Sequence, residues 1–313
     1  CYNRSHTIME IFSHLFDPLS TFTTIFLGIF IEAAPFLLLG TLASGFVEVF
    51  FDKDSLARII PRNAVGGAIV GSLLGLFFPV CECGVVPLTR RLMKKGMPLS
   101  AGVTFLMAAP AFNPIVIAST AAAFGVGRVL FLRMLLTAII AIITGLIFSM
   151  QKNPQELLLP IEMDIHQETQ IVAPRGRVER VRQALIIAAD EFFEMGRYLI
   201  FGIVIAAGMQ TLVPQAWMLS VASGPVISVL ALMALAIVLS ICSTVDAFIA
   251  LSFVGTFTTG SILAFLVFGP MVDIKSAIMF MGVFRKRGVT YLVLLPFVLT
   301  VLATVFINLN TTW

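Results

Sequence analysis

Cys81, Glu82 and Cys83 place two thiols around a carboxylate on three consecutive residues, inside sequence that is otherwise membrane-like. The stretch holding them, Pro79 to Pro114, also carries the helix breakers Pro87, Pro98, Pro110 and Pro114 and a cationic cluster of Arg90, Arg91, Lys94 and Lys95. Broken backbone at membrane depth is tolerated only where it is buried in protein or lines a cavity. The stretch therefore reads as half of a polar pocket or path. A third thiol, Cys242, lies in a second such region, so three soft sulfur ligands can meet, and soft ligands select thiophilic species. The competing reading is that each Cys packs as a small hydrophobe. A structural zinc site is not expected: beyond the N-terminal region the sole His is His166, in a polar stretch.

Ionisable residues inside apolar sequence form a second set: Glu32, Glu82, Glu194, Asp246, Asp273 and Lys275. A charge at the bilayer centre costs at least about 2.5 to 3.5 kcal/mol on insertion scales, so each should face the protein interior and pair or be protonated. Asp273 and Lys275 are near enough in sequence to neutralise one another. Glu32 and Glu194 are candidates for a proton path, with structural pairing between helices as the alternative. Pro110, Asn113, Pro114 and Pro270 sit where helices must open, and the unwound carbonyls and half-helix N-termini there can meet a polar or anionic solute. Thr244 completes the candidate substrate-binding set of Cys81, Cys83, Cys242, Glu82, Pro110, Asn113, Pro114, Thr244, Asp246, Pro270, Asp273 and Lys275. No residue is assigned a catalytic or metal-holding role, and no cofactor is expected.

The elements that position these residues follow from composition. Of 313 residues 59% are hydrophobic and only 12% charged, which marks an integral membrane protein. A span needs roughly 20 apolar residues, and continuous rather than alternating runs exclude a β-barrel. The runs predict an all-α polytopic protein of about eight (eight to nine) transmembrane helices. Spans are expected over 20–50, Val65 to Phe78, Leu99 to Phe124 (broken at Pro110–Pro114), Arg128 to Met150, and near 183–213, 222–241, 261–283 and 289–309. Gly67, Gly71 and Gly75 fall on one face of the second, which lets another helix approach closely.

Residues 151–182 are charged and proline-containing and read as a linker dividing a first transmembrane repeat (1–150) from a second (183–313). The halves echo one another. Glu32-x-x-x-Phe36-Leu37-x-x-Gly40 recurs as Glu194-x-x-x-Tyr198-Leu199-x-x-Gly202, the Cys81 region as Ser240 to Asp246, and Pro110 with Asn113 as Pro270 with Asp273. Interrupted apolar segments at corresponding places in two repeats point to a transporter's binding site. Eight simple crossings would put Arg90–Lys95 and Arg285–Arg287 on opposite sides, so the positive-inside rule asks for an extra crossing or a re-entrant loop, with 244–259 the candidate.

The small net charge of +3 and the missing modules argue against nucleic-acid binding. No GxxxxGK[ST], HExxH or GxSxG motif is present, so transport would draw on a gradient, a downhill solute or a separate partner. Membrane lipid and a small-molecule or ion substrate are the expected partners, and a homo-oligomer stays open. Cys1 in place of Met reads as a chain boundary or a processed start, and the first apolar run as a retained helix. The rival classes are a membrane-bound thiol oxidoreductase using Cys81 and Cys83, and a non-transporting membrane subunit of a larger assembly.

The stretches FPVCECGVVPLTRRLMKKGMPLSAGVTFLMAAPAFNP, STVDAFIALSF and FGPMVDIKS, in this order around a central linker, resemble the bacterial predicted-permease family that includes the organoarsenical efflux permeases (ArsP-like, UPF0718). The resemblance covers nearly the whole chain. It implies a multi-pass permease of the bacterial plasma membrane, not an enzyme, built from two related halves. For the arsenic-linked members it implies export of trivalent methylated or aromatic arsenicals.

Overall fold

A computed structural model describes residues 2–51, 60–61, 63–78, 81–151, 177–212 and 224–310, the side chains of 2–17 and 177 excepted. Pro79, most of the linker at 151–182, His166 and Cys1 therefore lie outside the described residues. Twelve helices are present among them: α1 Tyr2–Phe50, α2 Ala64–Phe77, α3 Glu82–Lys94, α4 Leu99–Phe112, α5 Pro114–Phe124, α6 Arg128–Ser149, α7 Arg177–Leu212, α8 Ile227–Leu239, α9 Asp246–Leu251, α10 Thr259–Met271, α11 Ile274–Phe280 and α12 Lys286–Asn310.

Five stretches are long and apolar enough to cross a membrane, Pro18–Phe50, Arg128–Ser149, Val178–Leu212, Thr259–Phe280 and Lys286–Asn310, and the α4–α5 pair makes a sixth, bent by 42°. The bend has a chemical cause. Pro110 and Pro114 remove backbone donors, and the α4 helix ends at Asn113, whose side chain then caps α5 by accepting from Ile115 N at 3.0 Å. Among the described residues, then, six segments are of span length, against the eight expected. α2 has 14 residues and α8 has 13, about 20 Å each, so neither reaches across a core of about 30 Å.

Instead the chain reverses direction between α2 and α3, the link at 79–80 lying outside the described residues. α3 runs back to the end of α1, where Lys95 donates to the Glu48 and Phe51 carbonyls at 2.5 and 2.6 Å and Arg91 lies 3.5 Å from the Glu48 carboxylate. The second half does likewise: α8 leads to a turn at Cys242 and then the six-residue α9, so 244–259 is the second limb of a hairpin rather than a crossing.

These directions settle the charge conflict. α7 starts beside the end of α1, with Gly45 against Ala184 and Ala188, while α11 runs back along α7, with Lys275 at Gly202 and Gly282 at Tyr198. Arg90, Arg91, Lys94 and Lys95, Arg180 and Arg182, and Arg285–Arg287 thus share one face. Arg128, at the start of α6, is on the other.

The broken spans form the core. Ser100 to Ala111 of α4 and Gly260 to Phe268 of α10 are buried on every side, as expected of helices apolar all round. In lipid, helices gain no hydrophobic drive to associate, so close backbone approach does the work. Gly71 and Gly75 meet the α4 backbone at Ala101 and Ala109, where an added Cβ would come within 2.4 and 2.6 Å, as the glycine spacing predicts. A Cβ added to Gly40 would likewise overlap the Gly84 backbone, so the glycine lets the start of α3 press onto α1.

Candidate functional site

The two hairpin tips meet at the centre. Cys81 caps the N-terminus of α3, and its carbonyl accepts from Gly84 N and Val85 N at 3.1 and 3.0 Å. Cys242 makes the same turn ahead of α9, accepting from Val245 N and Asp246 N at 3.0 and 3.2 Å. At both turns a short helix begins, and the Cys carbonyl accepts from backbone donors of its first turn. The Cys81 side chain lies beside those of Cys242 and Cys83. The Cys81 sulfur, the Cys242 sulfur and a Glu82 carboxylate oxygen all lie within 4.8 Å of one another. Cys83 stands behind Cys81, outside that trio. All three thiols are buried and free.

A buried cation faces the thiols. Lys275 Nζ lies 2.7 Å from Asp273 Oδ2 and 2.9 Å from Glu82 Oε1, and it donates to the Ser240 carbonyl at 2.7 Å. Ser240 closes α8 in a left-handed conformation, φ 44°, which aims that carbonyl. Such backbone is uncommon for a residue with a Cβ and clusters at functional sites. Asp273 is doubly employed: with Ser276 it forms a capping box at the start of α11, Oδ1 accepting from Ser276 N at 2.6 Å while Asp273 N donates to Ser276 Oγ at 2.9 Å. Glu82 is less well served. The Lys275 contact lies off the hydrogen-bond direction, and neither Glu82 oxygen has a hydrogen-bond partner among the described residues although it is only 4% exposed. On α1 Glu32 is half-buried, near enough to Lys275 and Cys242 to feel their charge and dipole.

Two further charge groups flank the site. Arg133, wholly buried in α6, holds Asp246 with two parallel hydrogen bonds of 3.1 and 2.6 Å and donates to Thr120 Oγ1 at 2.8 Å. At the basic face Arg90 pairs with Glu194 at 2.7 Å, Arg91 lies 3.7 Å from Glu191, and Ser44 donates to Glu191.

A family of predicted permeases, ArsP_1, matches residues 18–309, nearly all of the chain. The chain belongs to this family. The permease is 46% identical over 272 residues, 86% of its length and 91% of the relative's, to the UPF0718 protein YcgR of Bacillus subtilis. It is 39% identical over 288 residues, 89% and 92% of the two chains, to a protein of Streptococcus mutans named as a putative two-component membrane permease complex subunit. The UPF0718 protein MJ0584 of Methanocaldococcus jannaschii is similar over a shorter region, at 28% identity and 40% of this chain. No solved structure matches the chain. Family and apolar spans together make it a multi-pass bacterial membrane protein.

Of the candidate residues in the permease, Cys81, Glu82, Cys242, Asp273 and Lys275 converge, with Cys83 and Glu32 beside them. Asp246 engages Arg133 and Glu194 engages Arg90. Asn113 is buried as the α5 cap, Pro110 and Pro270 are buried within α4 and α10, Pro114 is exposed at the start of α5, and Thr244 is half-buried in the Cys242 turn. Arg133 is absent from the sequence-derived set. Its signal was a cation five residues inside an apolar run, which reads equally well as an interfacial anchor. The Ser240 carbonyl left no mark in residue type at all.

Proposed function

We propose that this permease is a secondary transporter of a small thiophilic solute, bound where the two hairpin tips meet. The observation that carries this reading is the pairing of Cys81 with Cys242: two buried thiols from segments far apart in sequence, side by side with a carboxylate. Cys81 and Cys242 touch the solute, Cys83 backs Cys81, and Lys275 with Asp273, Glu82 and Glu32 balances charge. Export of a trivalent methylated or aromatic arsenical is the specific case, because such a centre bonds two thiolates at once and arsenic-linked members of the family export these compounds. The name given to the Streptococcus mutans relative brings a second membrane component into the proposal as a partner.

The test is uptake of methylated trivalent arsenical into everted vesicles from an overexpressing strain, with and without a proton gradient. Accumulation above control vesicles is expected. Thiol oxidation or exchange without solute movement would instead favour a membrane thiol oxidoreductase.

Alternating access follows if the halves are inverted repeats, and four features support that relation. Among the described residues each half holds three segments of span length, an odd number. Cys81 and Cys242 share one turn geometry, Asn113 and Asp273 both cap the helix after a proline break, and Gly40 and Gly202 both receive a close backbone contact. In this arrangement the basic face is cytoplasmic by the positive-inside rule. Arg90, Arg91 and Lys95 with Glu48, Glu191 and Glu194 close it. α1 has buried residues from Ala33 to Val47 but none from Leu19 to Glu32, where Phe26, Ile29 and Phe30 are only partly covered by the core, so the two ends are packed unequally. In spheroplasts an impermeant maleimide should label Thr256→Cys but not Lys286→Cys, two exposed positions on opposite faces. Equal labelling of both would exclude the inverted arrangement.

A further inference from the structure

We infer that the Cys81–Glu82–Cys242 cluster takes a soft divalent metal cation of the zinc–cadmium class as transported cargo. The inference rests on the thiol-pocket reading above and goes beyond it, because an arsenical needs only two sulfurs and leaves Glu82 unused. The donor set is two sulfurs and one carboxylate oxygen, all within 4.8 Å of one another and all buried. Divalent d10 ions accept this mixture of thiolate and carboxylate, whereas hard cations require oxygen alone.

A second observation points to the same ligand. Both Glu82 oxygens are shielded from solvent and receive no hydrogen bond among the described residues. The Lys275 ammonium at 2.9 Å balances its charge, but a buried carboxylate that accepts no hydrogen bond is costly, and a metal ion shared with the two thiols would satisfy it.

Lys275 gives the site a way to release its cargo. In this structure its ammonium group sits 2.9 Å from Glu82 Oε1 while also held by Asp273 and the Ser240 carbonyl. An arriving cation competes with that ammonium for Glu82, and a departing one is replaced by it, so the carboxylate keeps a positive neighbour throughout. The remaining contacts to Asp273 and Ser240 hold Lys275 in place while Glu82 is engaged elsewhere. Binding also expels protons: each thiol must give up its proton to become a ligand, so a cation binding both Cys81 and Cys242 releases about two.

The experiment is titration of the purified full chain in detergent with Cd2+, reading thiolate-to-cadmium charge-transfer absorption and proton release, with phenylarsine oxide as a parallel probe. One Cd2+ per chain is expected, with loss of the absorption in Cys81→Ser and in Cys242→Ser. Glu82→Gln, nearly isosteric, should weaken Cd2+ about tenfold or more while leaving the arsenical untouched, and Cys83→Ser should keep the stoichiometry. Arsenical binding without Cd2+ binding, or Cd2+ binding indifferent to Glu82→Gln, would overturn the cation inference and leave the thiol-pocket reading standing. Failure of both probes to bind would overturn both.

Discussion

Cys81→Ser and Cys242→Ser are each expected to abolish transport of a thiophilic solute while leaving the protein in the membrane. Serine keeps nearly the same volume, so the hairpin tips should still pack, but a hard hydroxyl replaces a polarisable sulfur. With one of two soft ligands gone, uptake rates should fall on the order of 100-fold, the upper end of what even outer partners of a metal site contribute to affinity. Cys83→Ser should be milder, since Cys83 touches Cys81 rather than joining the trio. Spacing alone ranks Cys83 with Cys81 and puts Cys242 below both. The tertiary contact reverses that order, so the comparison tests the geometry as well as the chemistry. The measurement is initial uptake in everted vesicles normalised to immunoblotted protein. Normal transport by both Cys81→Ser and Cys242→Ser would make the thiols packing residues and shift the search to the broken helices at Asn113 and Asp273.

The second large effect is on stability. Asp246→Asn should destabilise the fold by about 3 to 5 kcal/mol, because it strands a fully buried guanidinium in a low-dielectric core. Arg133 is already at the limit of its satisfaction: its two terminal nitrogens are used on Asp246 and Thr120, and Nε has no partner among the described residues. Removing both charges together, as Arg133→Met with Asp246→Leu, should recover most of the loss, since an apolar pair of similar volume often replaces a buried ion pair without penalty. Thermal unfolding in detergent of Arg133→Met, Asp246→Leu and the double variant gives the cycle. Additive losses would show that the two residues do not depend on one another. A stable double variant that no longer transports would assign the pair to the solute path rather than to packing.

Much of this protein is legible without coordinates because the membrane imposes strict rules on its chain. Apolar runs of span length, prolines inside them and basic loops between them are composition-level features, and they locate α1, α6, α7, α12 and both broken spans. The rare polar residues Cys81, Glu82, Asp273 and Lys275 stand out for the same reason: each is expensive in that setting and must be put to use. Tertiary structure decided the rest. Val65–Phe78 and 222–241 are as apolar as true spans, and only the direction taken by α3 after Cys81 and by α9 after Cys242 shows that these segments turn back. That difference leaves six span-length segments among the described residues and puts Arg90–Lys95 on the same face as Arg285–Arg287. Sequence could nominate Glu194 and Asp246 as buried charges but could not name Arg90 and Arg133 as their partners. Charge pairing depends on which helix faces arrive at the same depth, and those faces are set by close contacts such as Gly40 on Gly84 and Gly202 on Lys275, between residues distant in sequence. The meeting of Cys81 with Cys242 is the same kind of fact: each thiol is marked by its own sequence, and their adjacency comes from packing two half-spanning hairpins tip to tip.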